Sequence, residues 1–142
     1  MKILAVDYGD KNIGLAVSDP EGKVAFPHGV IKHVSKQINA ETIANLTQEL
    51  DVDRIVVGLP LDENGELTFQ AKKVVRFIEI LKMCTETFVE TWDEYGTTNA
   101  ARASQFELGI PKKKRIGHKD HIAATIILQA YLESKNLKKD EG

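Results

Sequence analysis

AVDYGDKNIGLAVSD, Ala5 to Asp19, is the stretch whose reading decides the fold. The apolar run Ile3-Leu4-Ala5-Val6 ends in a carboxylate at Asp7. A short polar stretch holding Gly9 and Gly14 follows, and the apolar pattern resumes at Leu15-Ala16-Val17. Too few residues separate the two runs for a crossover helix, so Met1–Asp7 and Gly14–Ser18 are expected to pair antiparallel as a hairpin. Strand alternation puts Asp7 on the face of Ile3 and Ala5. An ionised carboxylate beside a buried strand is costly unless a metal or hydrogen bonds compensate it.

Outward from the hairpin, Lys23–His33 carries β-type residues (Val24, Phe26, Val30, Ile31) and predicts a third strand. Pro27-His28-Gly29 interrupts it, which implies a bend or an edge position. Ser35 is placed to cap a helix with the stripe Ile38, Ile43, Leu46, Leu50. Arg54–Gly58 is a nearly all-apolar strand stopped by Pro60. Thr68 can cap a second helix to about Met83, with the stripe Ala71, Val74, Val75, Ile78, Leu81. Gly58 and Pro60 read as shaping the turn after their strand. Thr87–Trp92 is the next strand. Thr97 or Thr98 can cap a helix ending near Gly109, and a final helix is expected from about Lys119 to Ser134. The order β-β-β-α-β-α-β-α-α implies an α/β fold: a mixed five-stranded sheet, antiparallel in its first three strands, with helices on both faces. Residues 1–135 are expected to form a single domain and 136–142 a frayed tail.

Of the 142 residues, 42% are hydrophobic and 28% charged, as in an ordinary soluble globular protein able to bury a core without staples. The single cysteine, Cys84, rules out an internal disulfide, fits a reducing cytosol, and is expected to be buried and inert. The start MKILAVDYG does not resemble a signal peptide, and no apolar run approaches the roughly 20 residues needed to span a bilayer. The expected location is the cytoplasm. A net charge of −2 excludes a uniformly basic nucleic-acid coat. Its distribution is uneven. Between Glu41 and Glu66 seven acids face one base, Arg54, whereas from Gly109 onward eight bases stand against four acids. A localised basic region suits a polyanion held at one place, and equally a solvated loop and tail.

Acids stand at three element ends. Asp7 closes the first strand, Asp93-Glu94 follows Trp92, and Asp120 opens the last helix on the face of Ala123, Ala124 and Ile127. Each singly has a structural explanation: a hairpin aspartate, an exposed turn acid, or a first-turn acid favoured by the helix dipole. Brought together, three carboxylates would repel unless a divalent cation neutralised them. Hard oxygen donors without a Cys or His set favour Mg²⁺ or Mn²⁺ over zinc. Such a cluster suits two-metal phosphodiester hydrolysis. The basic loop Lys112–Lys119 runs directly into Asp120, where a nucleic-acid backbone would have to be drawn in. His118 and His121 flank Asp120 and are candidates for proton transfer. Tyr8 and Trp92 are candidates for base stacking, although a strand tryptophan more often belongs to a core.

DYGDKNIGLAVSD, VGLP, WDEYGTTNAA and KDHIAATIILQAYLE together resemble, in order and over nearly the whole chain, the successive motifs of the YqgF family. These are RuvC-related nucleases with an RNase H-like fold, associated with pre-16S rRNA processing or Holliday-junction resolution. The resemblance implies that Asp7, Glu94 and Asp120 are the catalytic carboxylates and hold the metal, and it selects Glu94 over Asp93. It implies a nucleic-acid partner, an rRNA precursor within ribosomal precursor particles or branched DNA, met by Lys11, Lys113, Lys114, Arg115 and Lys119. A monomer or a homodimer would serve. The sequence departs from the pattern at Asn12 and Tyr95, where the family usually carries arginines, planar phosphate donors that neither residue reproduces. A nucleic-acid or ribosome-associated binding protein with weak cleavage is therefore an alternative. DYGDKNIG also resembles the phosphate loop of actin-like ATPases, but those build their site between two such domains and this chain has room for one.

Overall fold

The structure, a computed structural model, describes residues 1–94 and 120–141. The expected helix near 97–109 and the basic loop before Asp120 lie outside the described residues. Five strands form one sheet: β1 (Ile3–Tyr8), β2 (Asn12–Ser18), β3 (Ala25–Lys32), β4 (Arg54–Leu59) and β5 (Phe88–Asp93). Their spatial order is β3-β2-β1-β4-β5. β1 pairs antiparallel with β2 in the register Asp7↔Gly14 and Tyr8↔Ile13, and β2 pairs antiparallel with β3. β1–β4 and β4–β5 are parallel. The hairpin and the mixed sheet are thus as the sequence predicts. The interruption in β3 is a bulge: Leu15 pairs with Gly29 and Ala16 with Pro27, so His28 is the extra residue, and Gly29 takes φ +142°. β3 is an edge strand, where a proline without an N–H is tolerated.

Alternation along the strands divides the core in two. On one face Leu4, Val6, Ile13, Leu15, Ile55 and Val57 pack against α1 (Lys36–Glu49) and α2 (Phe69–Cys84). On the other, Ile3, Ala5, Ala16 and Val56 pack against α3 (Asp120–Glu141) through Ala124, Ile127, Leu128, Tyr131 and Leu132. Ala5, Ala16 and Ala124 are fully buried, and their short side chains let this helix lie close on the strands. No helix among the described residues is long and apolar enough to cross a membrane.

The helix caps form as expected, Ser35 accepting from the Ile38 N–H and Thr68 from the Ala71 N–H. The stripes need correction. In α1 the buried face is Asn39, Ala40, Ile43, Ala44 and Thr47, while Ile38 stays 47% exposed. The rotation follows from Asn39, whose side-chain oxygen accepts from the Val34 N–H and pins that residue inward. In α2, Phe77 takes the place expected of Val75, because its ring stacks on Tyr8 at 4.2 Å between centroids. α3 continues to Glu141 rather than ending at Ser134: the residues expected as a tail contain no proline, and no glycine before Gly142, so nothing breaks the helix. Cys84, at the end of α2, is only partly buried.

Candidate active site

Asp7 lies next to the end of β1, on the face covered by α3. Register brings the end of β5 beside it through β4, with Gly58 opposite Trp92 and Leu59 opposite Asp93. Glu94, the first residue beyond β5, turns back over β4. A methyl group at Gly58 would lie 2.8 Å from the Glu94 carboxyl carbon and 2.7 Å from Ile127 Cδ1. The Glu94 carboxylate and the α3 side chain therefore occupy the room that glycine leaves. Gly58 thus lies within β4, beneath the Glu94 carboxylate, rather than in the turn that follows the strand. Only tertiary structure discloses this, since nothing in VGLP distinguishes a turn glycine from a seat for a carboxylate.

Glu94 is hydrogen-bonded to Asp7 and its pKa is pushed up to about 8. Burial is the largest cause. The negative charge of Asp7, the hydrogen bond to it, and the charge of Asp93 follow. Burial and the facing acid both favour a proton shared by the pair, the behaviour expected of two acids too close for both to ionise.

Ile127 over Gly58 and Tyr131 beside Arg54 make α3 antiparallel to β4. The helix therefore begins, at Asp120, toward the end of the sheet that holds Asp7 and Glu94. The Asp120 and His121 side chains are outside the described residues, as are Lys113, Lys114, Arg115, His118, Lys119 and Tyr95. Lys11 is exposed in the β1–β2 turn. Of the stacking candidates, Tyr8 is 5% exposed and belongs to the core, where burial raises its pKa and the Asn39 amide opposes that rise. Trp92 is half-buried, its ring edge-on to Tyr131 at 5.7 Å.

The donor set fits a hard divalent cation. Two carboxylates held in contact at the cost of a trapped proton offer a cation what the proton supplies. Among the described residues no cluster of three or more His, Cys, Asp or Glu side chains is assembled, so Asp7 and Glu94 make up the described part of the set.

The sequence reading also missed an arrangement at the opposite end of α3. Arg54 Nη1 donates to the Tyr131 hydroxyl at 2.6 Å and to Glu90 Oε2 at 3.2 Å. Tyr131 in turn donates to Glu90 Oε2 at 2.8 Å. Lys135 Nζ stands 3.8 Å from Glu90 Oε1, and the Arg54 guanidinium lies 5.0 Å over the Phe88 ring. The hydroxyl of Tyr131 and the Glu90 carboxylate hold the Arg54 pKa above its ordinary value.

Comparison with known proteins bears on the family and the fold. A protein of Clostridioides difficile named "Putative pre-16S rRNA nuclease" is 42% identical over 134 residues, covering 94% of this chain and 95% of its own. Its namesake from Clostridium acetobutylicum is 39% identical over 134 residues, 94% of this chain and 99% of its own. The Thermus thermophilus RuvC structure superimposes with a TM-score of 0.60 at 15% identity over 96% of both chains, a likeness of fold. The family described as RuvX, Holliday junction resolvase, matches residues 1–134, and with its motifs in order along β1, β4, β5 and α3 the chain belongs to that family.

Proposed function

We propose that this chain is a metal-dependent nuclease acting on structured nucleic acid, and that its substrate is the 5′ end of the small-subunit rRNA precursor. The observation that carries the reading is the Asp7–Glu94 pair: two carboxylates in contact at the mouth of a parallel strand pair, with Glu94 raised to about 8. Curated relatives at about 40% identity bear the name of that activity, which favours RNA.

Asp7, Glu94 and Asp120 would hold Mg²⁺ or Mn²⁺, bound as a pair of ions. When bound, the metal supplies an activated water and neutralises charge on the leaving oxygen. The chain's own part is separate from that. β1 and β4 fix Asp7, Gly58 leaves room for Glu94, and the pair would have to give up its shared proton to hold a cation. Lys11, Lys113, Lys114, Arg115 and Lys119 would hold the phosphate backbone. Residues 1–135 would act as one nuclease domain in the cytoplasm on ribosomal precursor particles, a monomer sufficing to trim one RNA end.

A second reading, resolution of Holliday junctions, is favoured by the family description and would call for a two-fold dimer. One assay separates the two. Native protein and Asp7→Asn are incubated with an rRNA precursor carrying its 5′ extension and with a four-way DNA junction, each with Mg²⁺, Mn²⁺ or EDTA. Metal-dependent cutting of the RNA, lost in the variant, is expected. Cutting of the junction alone would install the second reading. Salt-sensitive binding without cutting would make Asn12 and Tyr95 decisive and leave a binding protein.

A further inference from the structure

The β1–β2 turn that follows Asp7 is held from outside at three carbonyls. His33, just past β3, donates its backbone N–H to the Lys11 carbonyl at 2.9 Å, while its ring Nδ1 lies 3.1 Å from the Gly9 carbonyl. Gln70 of α2 donates to the Tyr8 carbonyl at 3.3 Å. A carbonyl can only accept, so the hydrogen on the His33 ring sits at Nδ1. The ring is itself fixed, packed edge-on against buried Tyr8 at 5.3 Å. The turn has no slack within: a Cβ at Gly9 would stand 2.4 Å from the Asn12 carbonyl oxygen. One residue thus grips the turn on either side of Asp10, at the Gly9 and Lys11 carbonyls, and the Lys11 side chain is exposed.

We propose that His33 is a positioning residue for nucleic-acid binding: by clamping the Gly9 and Lys11 carbonyls it fixes the direction in which Lys11 meets a backbone phosphate beside Asp7. The proposal rests on the nuclease reading for the identity of the polyanion. It assigns His33 no contact with substrate and no proton transfer.

The test is binding of a labelled four-way DNA junction and of the rRNA precursor, in EDTA so that cleavage does not intervene, over a range of salt. Native protein, His33→Ala, His33→Asn, Lys11→Ala and the Lys11→Ala/His33→Ala double variant are compared, with thermal melts to confirm folding. His33→Ala removes the ring's bond to the Gly9 carbonyl and keeps the backbone bond to Lys11; it is expected to weaken binding roughly fivefold and to lower the slope of log affinity against log salt by up to about 0.7–0.9, one phosphate contact. The amide of His33→Asn can take the place of Nδ1 and is expected to restore both. Lys11→Ala should lose at least as much as His33→Ala, and the double variant should be no weaker than Lys11→Ala. Unchanged binding in His33→Ala, losses that add in the double variant, or no rescue by His33→Asn would overturn the proposal. If native protein binds neither polymer, the nuclease reading fails first and takes the proposal with it, whereas native binding indifferent to His33 sinks the proposal alone.

Discussion

Glu90 and Glu94 lie four residues apart on one side of β5 and its exit, both facing α3, and they meet opposite surroundings. Glu90 is met by Arg54, Tyr131 and Lys135, so its charge is neutralised and its lone pairs are occupied. Glu94 is buried and met by Asp7, with Asp93 adding to the repulsion, and its pKa is pushed up. Chain, strand and flanking helix are the same, so the difference lies in what the neighbouring strand presents: Arg54 at the start of β4, and at its end only Gly58. A satisfied carboxylate fastens the helix to the sheet. One hydrogen-bonded to a second acid cannot ionise together with it unless positive charge compensates the pair.

The variant that should break the contrast most severely is Gly58→Ala. Its methyl group would displace both the Glu94 carboxyl and Ile127, so cleavage should fall roughly a hundredfold. Stability should drop by about 1–3 kcal/mol, as expected for overpacking, read by urea denaturation. An alanine variant with native activity would show that Glu94 is not needed where it stands.

The pair should next reveal itself through pH. The folded value for Glu94, about 8, exceeds the ordinary 4.5, so the folded chain binds more protons between them. Its stabilising contribution is whole below about 4.5 and is lost as pH rises through about 8. Denaturation at pH 5, 7 and 8.5 should show native protein weakening across that range and Glu94→Gln weakening less. Mn²⁺ should restore stability at pH 8.5 in the native chain and not in Glu94→Gln. Equal slopes for the two proteins would contradict the shared proton.

Glu90→Gln should act in the opposite sense, destabilising by about 1–2 kcal/mol at every pH from 5 to 8.5 because Arg54 loses its ion partner. The figure is modest because both side chains are about a quarter exposed. A gain in stability would mean that the two ends of α3 are electrostatically alike. The smallest effect belongs to Lys73→Ala. Its 3.4 Å pair with Asp10 is exposed, and the change should stay below about 0.5 kcal/mol in the same assay.

Local signals carried much of this into the sequence. Ser35 and Thr68 could be recognised as caps because a cap is made within four residues, and Asp7 could be put on the face of Ile3 and Ala5 because alternation is a property of one strand. What escaped depends on partners distant in sequence. Ile38 reads as core until Asn39 is seen bonding to Val34, and Phe77 outranks Val75 only when Tyr8 arrives from β1. Alternation could not choose between Asp93 and Glu94, because the strand ends between them; the family resemblance chose Glu94, the acid that meets Asp7. The Arg54–Glu90–Tyr131 network joins residues 36 and 77 positions from Arg54, beyond any local pattern.

The seating of α3 has a mechanical consequence. The helix is gripped at Tyr131, eleven residues from Asp120, a lever arm of roughly 16 Å at 1.5 Å per residue. A tilt of about 4° around that fulcrum would swing the helix start by about 1 Å, as large an error as an active site tolerates without heavy loss of rate. Ile127, seated over Gly58, and buried Ala124 lie between fulcrum and tip and act as the stops that limit the swing. The registration of the first turn of α3 is thus set by methyl-sized features of the sheet beneath it.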